Sequence, residues 1–458
     1  MDTTSPTASQ PSRRRALHAD LLDFPDAPAW GDTGDTAARW RPNHWLLIDD
    51  DGRIAGVQAD APGPDWPRED HRSRLLLPGF IDAHVHSPQL DVIASHGTAL
   101  LDWLQRYTFP AESAWADPEV AAAGSARFLD ALLAHGTTAA MVFPTVHAHS
   151  ADALFAAAEA RGMRLITGKV LMDRHAPDGL HDDAADPAHA ERECLDQITR
   201  WHGRGRNSFA VTVRFAPTST PAQLAMAGAL CRADPTLYMQ THVAENRDEV
   251  AWVRELFPEA RSYLDVYARA GLVHARSMLA HGIWLDDVDR ALLAERGATV
   301  AFCPTSNLFL GSGLLDWPQL TAAGVQLAPA TDVGGGTSLS LQRTLAEGYK
   351  VQALLGHRLS AFSALHAATR GAAQALQLDH EIGSFEPGLQ ADLCAWDWAV
   401  GTVDAHRLSR AASLHERLFA WLMLSDERHL AATWVGGRPA FLRPATTSAA
   451  AGTAASSC

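Results

Sequence analysis

Lysine is almost missing from this sequence: Lys169 and Lys350 are the only two in 458 residues, and arginine carries the rest of the positive charge. That imbalance reads as coding bias rather than function. The positive charge is also not gathered anywhere. The net charge is −15 and no basic stripe with interleaved aromatics occurs, which argues against a nucleic-acid polymer as partner, because phosphate binding needs clustered Lys and Arg. Cysteine is sparse: Cys194, Cys231, Cys303, Cys394 and Cys458 form no Cys-x-x-Cys. An odd, scattered set points to a reducing compartment. No apolar run reaches membrane-spanning length, and the polar stretch 1–15 lacks the apolar core of a secretory signal. A soluble, cytoplasmic protein with no membrane partner is the expectation.

The apolar content of 47% against 20% charged residues is that of an ordinary globular chain, and the length suits one large domain with a satellite. Residues 1–13 and the Ala/Ser/Thr-rich 444–458 are expected to be disordered tails. Residues 14–76 contain short β-like runs at 16–22, 44–48 and 53–57, the last two flanking the turn signal Asp50-Asp51-Gly52.

From Leu77 the pattern becomes strand alternating with helix. Apolar β-rich runs fall at 80–85, 138–143, 163–170, 210–215, 237–243, 277–281, 299–303 and 325–331. Helical stretches separate them at 117–135, 151–161, 187–202, 221–233, 246–257 and 286–295; the first has Asp117 as N-cap, Pro118 at N1 and Gly136 as terminator. Eight such units over 77–380 predict an α/β fold, a (β/α)8 TIM-type barrel. An open doubly wound sheet is the alternative, but no Gly-x-Gly-x-x-Gly opens the first helix. Two further helices, at 339–355 and 360–376, precede β-like runs at 383–396 and 431–442. These late strands, within 381–443, are expected to join the early ones in a small β-sandwich domain built from both chain ends.

Barrel chemistry sits at the C-terminal ends of the strands. The first strand ends in His84-Val85-His86, whose period-2 spacing points both imidazoles at one object. Alone, a His-x-His pair could equally be core or surface histidines. Strand five ends in Gln240-Thr241-His242-Val243-Ala244-Glu245, strand six in His281 and strand eight in Thr331-Asp332. Together His84, His86, His242, His281 and Asp332 read as a metal site. A nitrogen-rich set with one carboxylate and no thiolate suits Zn2+ or Fe2+. Asp332 can take a water proton and Glu245 can shuttle one to a substrate, although Glu245 also precedes a helix and could serve as a cap. His147, His149, His175, His181 and His189 read as solvated loop residues.

The pattern Pro-Gly-Phe-Ile-Asp-x-His-x-His with histidines on strands five and six and an Asp on strand eight resembles the amidohydrolase superfamily. Residues 383–393 resemble that superfamily's re-entry into its β domain. Further stretches are similar to its guanine-deaminating branch: His86-Ser87-Pro88-Gln89-Leu90-Asp91, Leu101-Asp102-Trp103-Leu104, Tyr107-Thr108-Phe109-Pro110-Ala111-Glu112, Val213-Arg214-Phe215-Ala216-Pro217, Gln240–Asn246, Cys303-Pro304-Thr305-Ser306-Asn307 and Thr331–Gly336. The resemblance implies one Zn2+ on His84, His86, His242 and Asp332, with His281 beside it, and a homodimer. It implies guanine contacts from His86, Ser87, Pro88, Gln89, Arg214, Phe215, His242, Glu245 and Asp332. The chemistry agrees, since guanine offers O6 and N7 as acceptors, the Arg214 guanidinium is a donor and Gln89 is both donor and acceptor. Phe215 or Trp103 could stack on the ring or belong to the core.

The implied reaction is attack of metal-held hydroxide on C2, with Glu245 protonating N3 and Asp332 with His281 handling the water proton, to give xanthine and ammonia. A related aminohydrolase acting on 8-oxoguanine, a triazine or an adenosine-type nucleoside is the alternative. The other zinc-deaminase signature, His-x-Glu with Pro-Cys-x-x-Cys, is absent: His189-Ala190-Glu191 matches its first half alone. Binuclear members of the superfamily use a modified lysine. The lone candidate here, Lys169, is expected to be structural or second in line, leaving one metal.

Overall fold

Strand β1 (Arg15–Asp23) opens a chain of sixteen strands that form two sheets in a computed structural model describing residues 13–97 and 100–444. The expected disordered tails lie outside the described residues except at Arg13 and Pro444. β2 (Arg39–Ile48), β3 (Ile54–Gln58) and β4 (Arg68–Pro78) follow β1, and β14 (Leu393–Asp397), β15 (Leu430–Val435) and β16 (Arg438–Leu442) return from the far end of the chain. The seven make one sheet in the order β16-β15-β14-β4-β1-β2-β3, so both chain ends build it. Leu17, Leu46 and Ile54 from one half share a core with Leu393, Ala432 and Trp434 from the other. The β1–β3 side also meets the β14–β16 side where Ile54 N donates to Leu389 O (2.8 Å). In place of the expected sandwich stands one continuous seven-stranded sheet.

The runs read as strands at 16–22, 44–48 and 53–57 are longer or slightly shifted, and β4 has no counterpart among them. Its first half, Arg68 to Arg74, is charged and mostly exposed, with only His71 buried there before the four buried residues at the end, so it lacks the alternation that marks a strand. The stretch 383–392 is irregular rather than β, because Gly383 and Gly388 sit at φ +98° and +91°, a region closed to extended backbone. Between β14 and β15 lie helices Thr402–Leu408 and Leu414–Leu424, the second capped by the Ser413 side chain accepting from Glu416 N.

The second sheet contains β5 (Phe80–His86), β6 (Thr137–Phe143), β7 (Arg164–Thr167), β8 (Val170–Leu171), β9 (Asn207–Val213), β10 (Tyr238–Val243), β11 (Ser277–His281), β12 (Thr299–Phe302) and β13 (Gln326–Pro329). The run expected at 163–170 is split between β7 and β8, which both pair with β9. All pairings are parallel, in the order β13-β12-β11-β10-β9-β7-β6-β5. Parallel strands need both faces covered, and here helices cover the outside while Ala, Ile and Met side chains fill the inside. The chain just past β13 closes the ring: Asp332 N donates to His84 O (3.0 Å) and His86 N to Val333 O (2.9 Å). This is a (β/α)8 barrel.

Gly136 ties barrel to sheet. It ends the helix Pro118–Ala134, which starts on the Asp117 side chain accepting from Glu119 N, and it adopts φ +80°. Its carbonyl accepts from Phe80 N (3.0 Å) and from the Cys394 thiol (3.1 Å). A Cβ there would stand 2.5 Å from Trp396, so no larger residue fits.

The helix Ala361–His366 packs on the same shared layer, where the His366 ring meets Phe24 edge-on with centroids 5.8 Å apart. Its Nε2 is buried without a partner. Burial, and then the Arg370 charge, push the His366 pKa down to about 4. The unfolded chain titrates nearer 6.5 and so binds more protons between those values. Stability therefore falls as pH drops through that window, by up to about 3 kcal/mol. Urea midpoints compared at pH 7.5 and pH 5 should show a smaller acid loss for His366→Gln than for the wild type; equal losses would contradict the assignment.

Candidate active site

A register shift in β5 sets the site. Ile81 and Ala83 fill the barrel interior, and pairing with β6 shifts between Asp82 and Val85. Such irregularities re-aim side chains at barrel rims. Beyond the shift Val85 packs outward and His84 and His86 converge with His242. Three neighbouring positions are left-handed without being glycine: Ala244 (φ +48°), His281 (φ +71°) and Asp332 (φ +49°). Each costs about 1–3 kcal/mol and persists where the surroundings over-determine it. For Asp332 the surroundings include Asp82, whose carboxylate accepts from Thr331 N (3.1 Å) and Thr331 Oγ1 (2.5 Å).

One nitrogen or oxygen from each of His84, His86, His242 and Asp332 lies within 4.8 Å of all the others. His86 Nε2 is 3.2 Å from His84 Nε2 and 3.1 Å from His242 Nε2, and His84 Nε2 is 3.2 Å from Asp332 Oδ1. Ligands about 2.0–2.1 Å from a tetrahedral ion stand about 3.3 Å apart, close to these separations. Burial lowers the pKa of His84, His86 and His242, and for the latter two well below the ordinary value. They are therefore neutral, with lone pairs available. Acceptance by Arg214 O (2.6 Å) puts the His242 proton on Nδ1 and leaves Nε2 free. Three neutral imidazoles and a carboxylate facing one point fit a divalent cation.

Beside this cluster stand His281 and the Glu245 carboxyl. His281 Nε2 is 3.4 Å from Glu245 Oε2 and 3.8 Å from Asp332 Oδ2, while its Nδ1 meets Asn307 Oδ1 at 2.9 Å. Burial disfavours its charged form, but Glu245 and Asp332 outweigh that and raise its pKa. Glu245 is pushed up to about 7, by burial first and then by Glu249 and Asp332 against the opposing pull of His281. Ser312 donates to Glu245 Oε1 (2.8 Å), and Glu249 accepts from the Glu245 amide (3.0 Å). The capping role belongs to Asn246, whose side chain accepts at the start of the helix Arg247–Leu256; the Glu245 carboxylate is directed into the site.

A cavity adjoins these groups, lined by His86, Gln89, Trp103, Arg214, Phe215, His242, Glu245, His281 and Asp332 among others. Ser87 and Pro88 do not line it. The Ser87 hydroxyl donates to Phe143 O (3.3 Å), and both residues form the buried turn that carries Gln89 inward. Arg214 and Gln89 are joined by Glu112, which takes two bonds from Arg214 Nη1 (2.6 and 2.7 Å) and one from Gln89 Nε2 (3.0 Å). Phe215 and Trp103 are both buried against the cavity, and Trp103 Nε1 donates to Ser95 O.

Lys169 is buried, with Nζ held at 2.5 Å by both Asp182 and Glu193, and it does not line the cavity. None of the five histidines read as loop residues lines it either, although His149 and His189 sit in helices rather than loops. Sequence reading gave no role to Asp82, Glu112, Glu249, Asn307 or Ser312. Asp82, Glu112 and Asn307 stood inside the motifs quoted, which is the only signal that could have singled them out.

A profile of the amidohydrolase family matches residues 75–440. The chain is 44% identical over 381 residues to a guanine deaminase of Escherichia coli (strain K12), covering 83% of this chain and 86% of that protein. It is similar in structure to E. coli guanine deaminase (TM-score 0.88, 39% identity, 94% of this chain and all of the other). It is also similar to guanine deaminase from C. acetobutylicum with bound guanine in the active site (TM-score 0.84, 25% identity, 93% of this chain and all of the other).

Metal titration of the apoprotein should give one equivalent per chain. His84→Ala should weaken binding by more than the roughly 10–100-fold seen when an outer partner is lost, and His281→Ala should leave the stoichiometry unchanged. Two equivalents in the wild type would overturn the single-ion site.

Proposed function

The chain belongs to the amidohydrolase family, and from that premise we propose that it hydrolyses guanine to xanthine and ammonia. The observation that carries this reading is one cavity holding the metal-type cluster, the carboxyl of Glu245 and the donor pair Gln89 and Arg214.

His84, His86, His242 and Asp332 would hold the ion, for which we propose Zn2+ with Fe2+ as the other candidate for this donor set. Bound there, the ion lowers the pKa of water to about 7 and so supplies the nucleophile. The protein's own groups do the rest. Arg214 donates to the acceptors of the purine edge, Gln89 meets its mixed donor and acceptor edge, and Phe215 or Trp103 packs on the ring face. Glu245 carries a proton near neutral pH and delivers it to N3, drawing electrons from C2 as the new C–O bond forms there. Asp332, with His281 at 3.8 Å, takes the water proton and returns it to the amino group. The C2–N bond then breaks and ammonia leaves, while the proton of the new C2 hydroxyl passes to Glu245 and leaves the C2 carbonyl of xanthine.

For the cellular setting we propose a cytoplasmic homodimer. The four described cysteines are free and buried, which suits a reducing compartment, and none of the described helices is long and apolar enough to cross a membrane.

Metal-replete protein incubated with guanine should release xanthine and ammonia in equal amounts. Glu245→Gln should lower kcat by about 10²–10⁴-fold, the usual contribution of a positioned acid, with the metal content unchanged. Absence of xanthine from the wild type would refute the activity. Full turnover by the variant would refute only the proton assignment.

A further inference from the structure

Glu112 is 1% exposed, an acid hydrogen-bonded neither to the histidine cluster nor to Glu245, yet its carboxylate joins two groups that line the cavity, Arg214 and Gln89. It sits in the short helix Phe109–Ser113, which follows a π-helical turn at Leu104–Thr108 in the excursion between β5 and the helix Pro118–Ala134. π-helical turns occur frequently at functional sites. We infer that Glu112 is a positioning residue for guanine specificity, fixing the hydrogen-bonding sense of Gln89 and the approach of Arg214. The inference rests on the guanine reading above.

The argument begins with the amide. Gln89 Nε2 donates to Glu112 Oε1 at 3.0 Å, and Gln89 Oε1 accepts from Gly334 N at 3.1 Å. Flipping the amide would set its oxygen against a carboxylate and its NH2 against an N–H, so one orientation is enforced. Gly334 is itself confined, since a Cβ there would stand 2.6 Å from Gln89 O. With one N–H and one lone pair so committed, Gln89 keeps one donor hydrogen and one acceptor lone pair for a ligand. A donor beside an acceptor complements a lactam edge, the C6 carbonyl and adjacent N1–H of guanine. A flipped amide would present the opposite order.

Arg214 is fixed by the same carboxylate. Its Nη1 is shared between both Glu112 oxygens, at 2.6 and 2.7 Å, which orients the planar guanidinium and leaves its other nitrogens for a ligand acceptor. The carboxylate also balances a guanidinium that is only 3% exposed, in a place where an unmatched charge is costly. One side chain thus sets both readers of the oxo edge without touching the ligand.

The test compares guanine with 2-aminopurine, which keeps the amino group at C2 but lacks O6 and the N1 hydrogen. In the metal-loaded full chain, Glu112→Gln should raise KM for guanine on the order of 100-fold, the scale of a misplacement near 1 Å, with kcat little changed. The inhibition constant of 2-aminopurine should stay near its wild-type value. Glu112→Asp keeps the charge but withdraws it by one methylene, so it should lose the same discrimination even if the neutral variant folds poorly. A parallel rise in KM for guanine and in the 2-aminopurine constant would show a merely structural role and overturn the inference, as would no change in either. Wild-type protein that forms no xanthine would defeat the guanine reading itself, whereas an active wild type with unaltered discrimination in both variants would defeat this inference alone.

Discussion

The closure of the barrel between β5 and the turn after β13 is the constraint on which the site depends. Two backbone hydrogen bonds, Asp332 N to His84 O and His86 N to Val333 O, bridge that seam, and the Asp82 side chain adds two more to Thr331. The same bonds that complete the fold bring a carboxylate from the last strand against two histidines from the first. Asp82 is fully buried and its pKa is pushed up to about 7, chiefly by burial against the pull of its hydrogen bonds. The left-handed backbone at Asp332 is tolerable only because these bonds grip it on both sides.

Several buried charges have ionic partners. Arg214 faces Glu112, Lys169 faces Asp182 and Glu193, and His281 lies between Glu245 and Asp332. A buried pair of this kind is weak evidence for stability, because the desolvation it requires offsets its attraction. Its value lies in orientation. The contacts with Asp182 and Glu193 keep Lys169 occupied away from the cavity, where the histidines and Asp332 form a donor set for an ion.

The strand-end histidines were legible because a barrel places its reactive edge at a position that strand counting can find. His84, His86, His242, His281 and Asp332 all lie at or just past such ends. The helix at 118–134 was legible through its Asp117 cap, Pro118 at N1 and Gly136 terminator. β4 was not, because its charged half is exposed and its apolar end is too short to alternate. Neither were the roles of Asn307 and Ser312, since each acts through a partner at the end of another strand, His281 and Glu245. Side-chain pairing across the barrel mouth leaves no periodic trace. Ser87 and Pro88 illustrate a further limit: a motif can mark residues that turn the chain as clearly as residues that face a ligand.

The site divides into two parts with different mechanical origins. The cluster of histidines and Asp332, with Glu245 and His281, stands on strand ends locked by parallel pairing and the closing seam. The reading part is looser in origin. Gln89 and Glu112 come from the non-strand excursion after β5, and Arg214 from the residue just past β9. Glu112 is what couples that excursion to the barrel rim, through bonds to Arg214 on one side and Gln89 on the other. Substitutions in the excursion can therefore alter which ring is accepted while the hydrolytic groups keep their geometry. A barrel whose histidine cluster stands on strand ends, and whose other polar cavity groups come partly from an inserted segment, can change substrate without rebuilding that cluster.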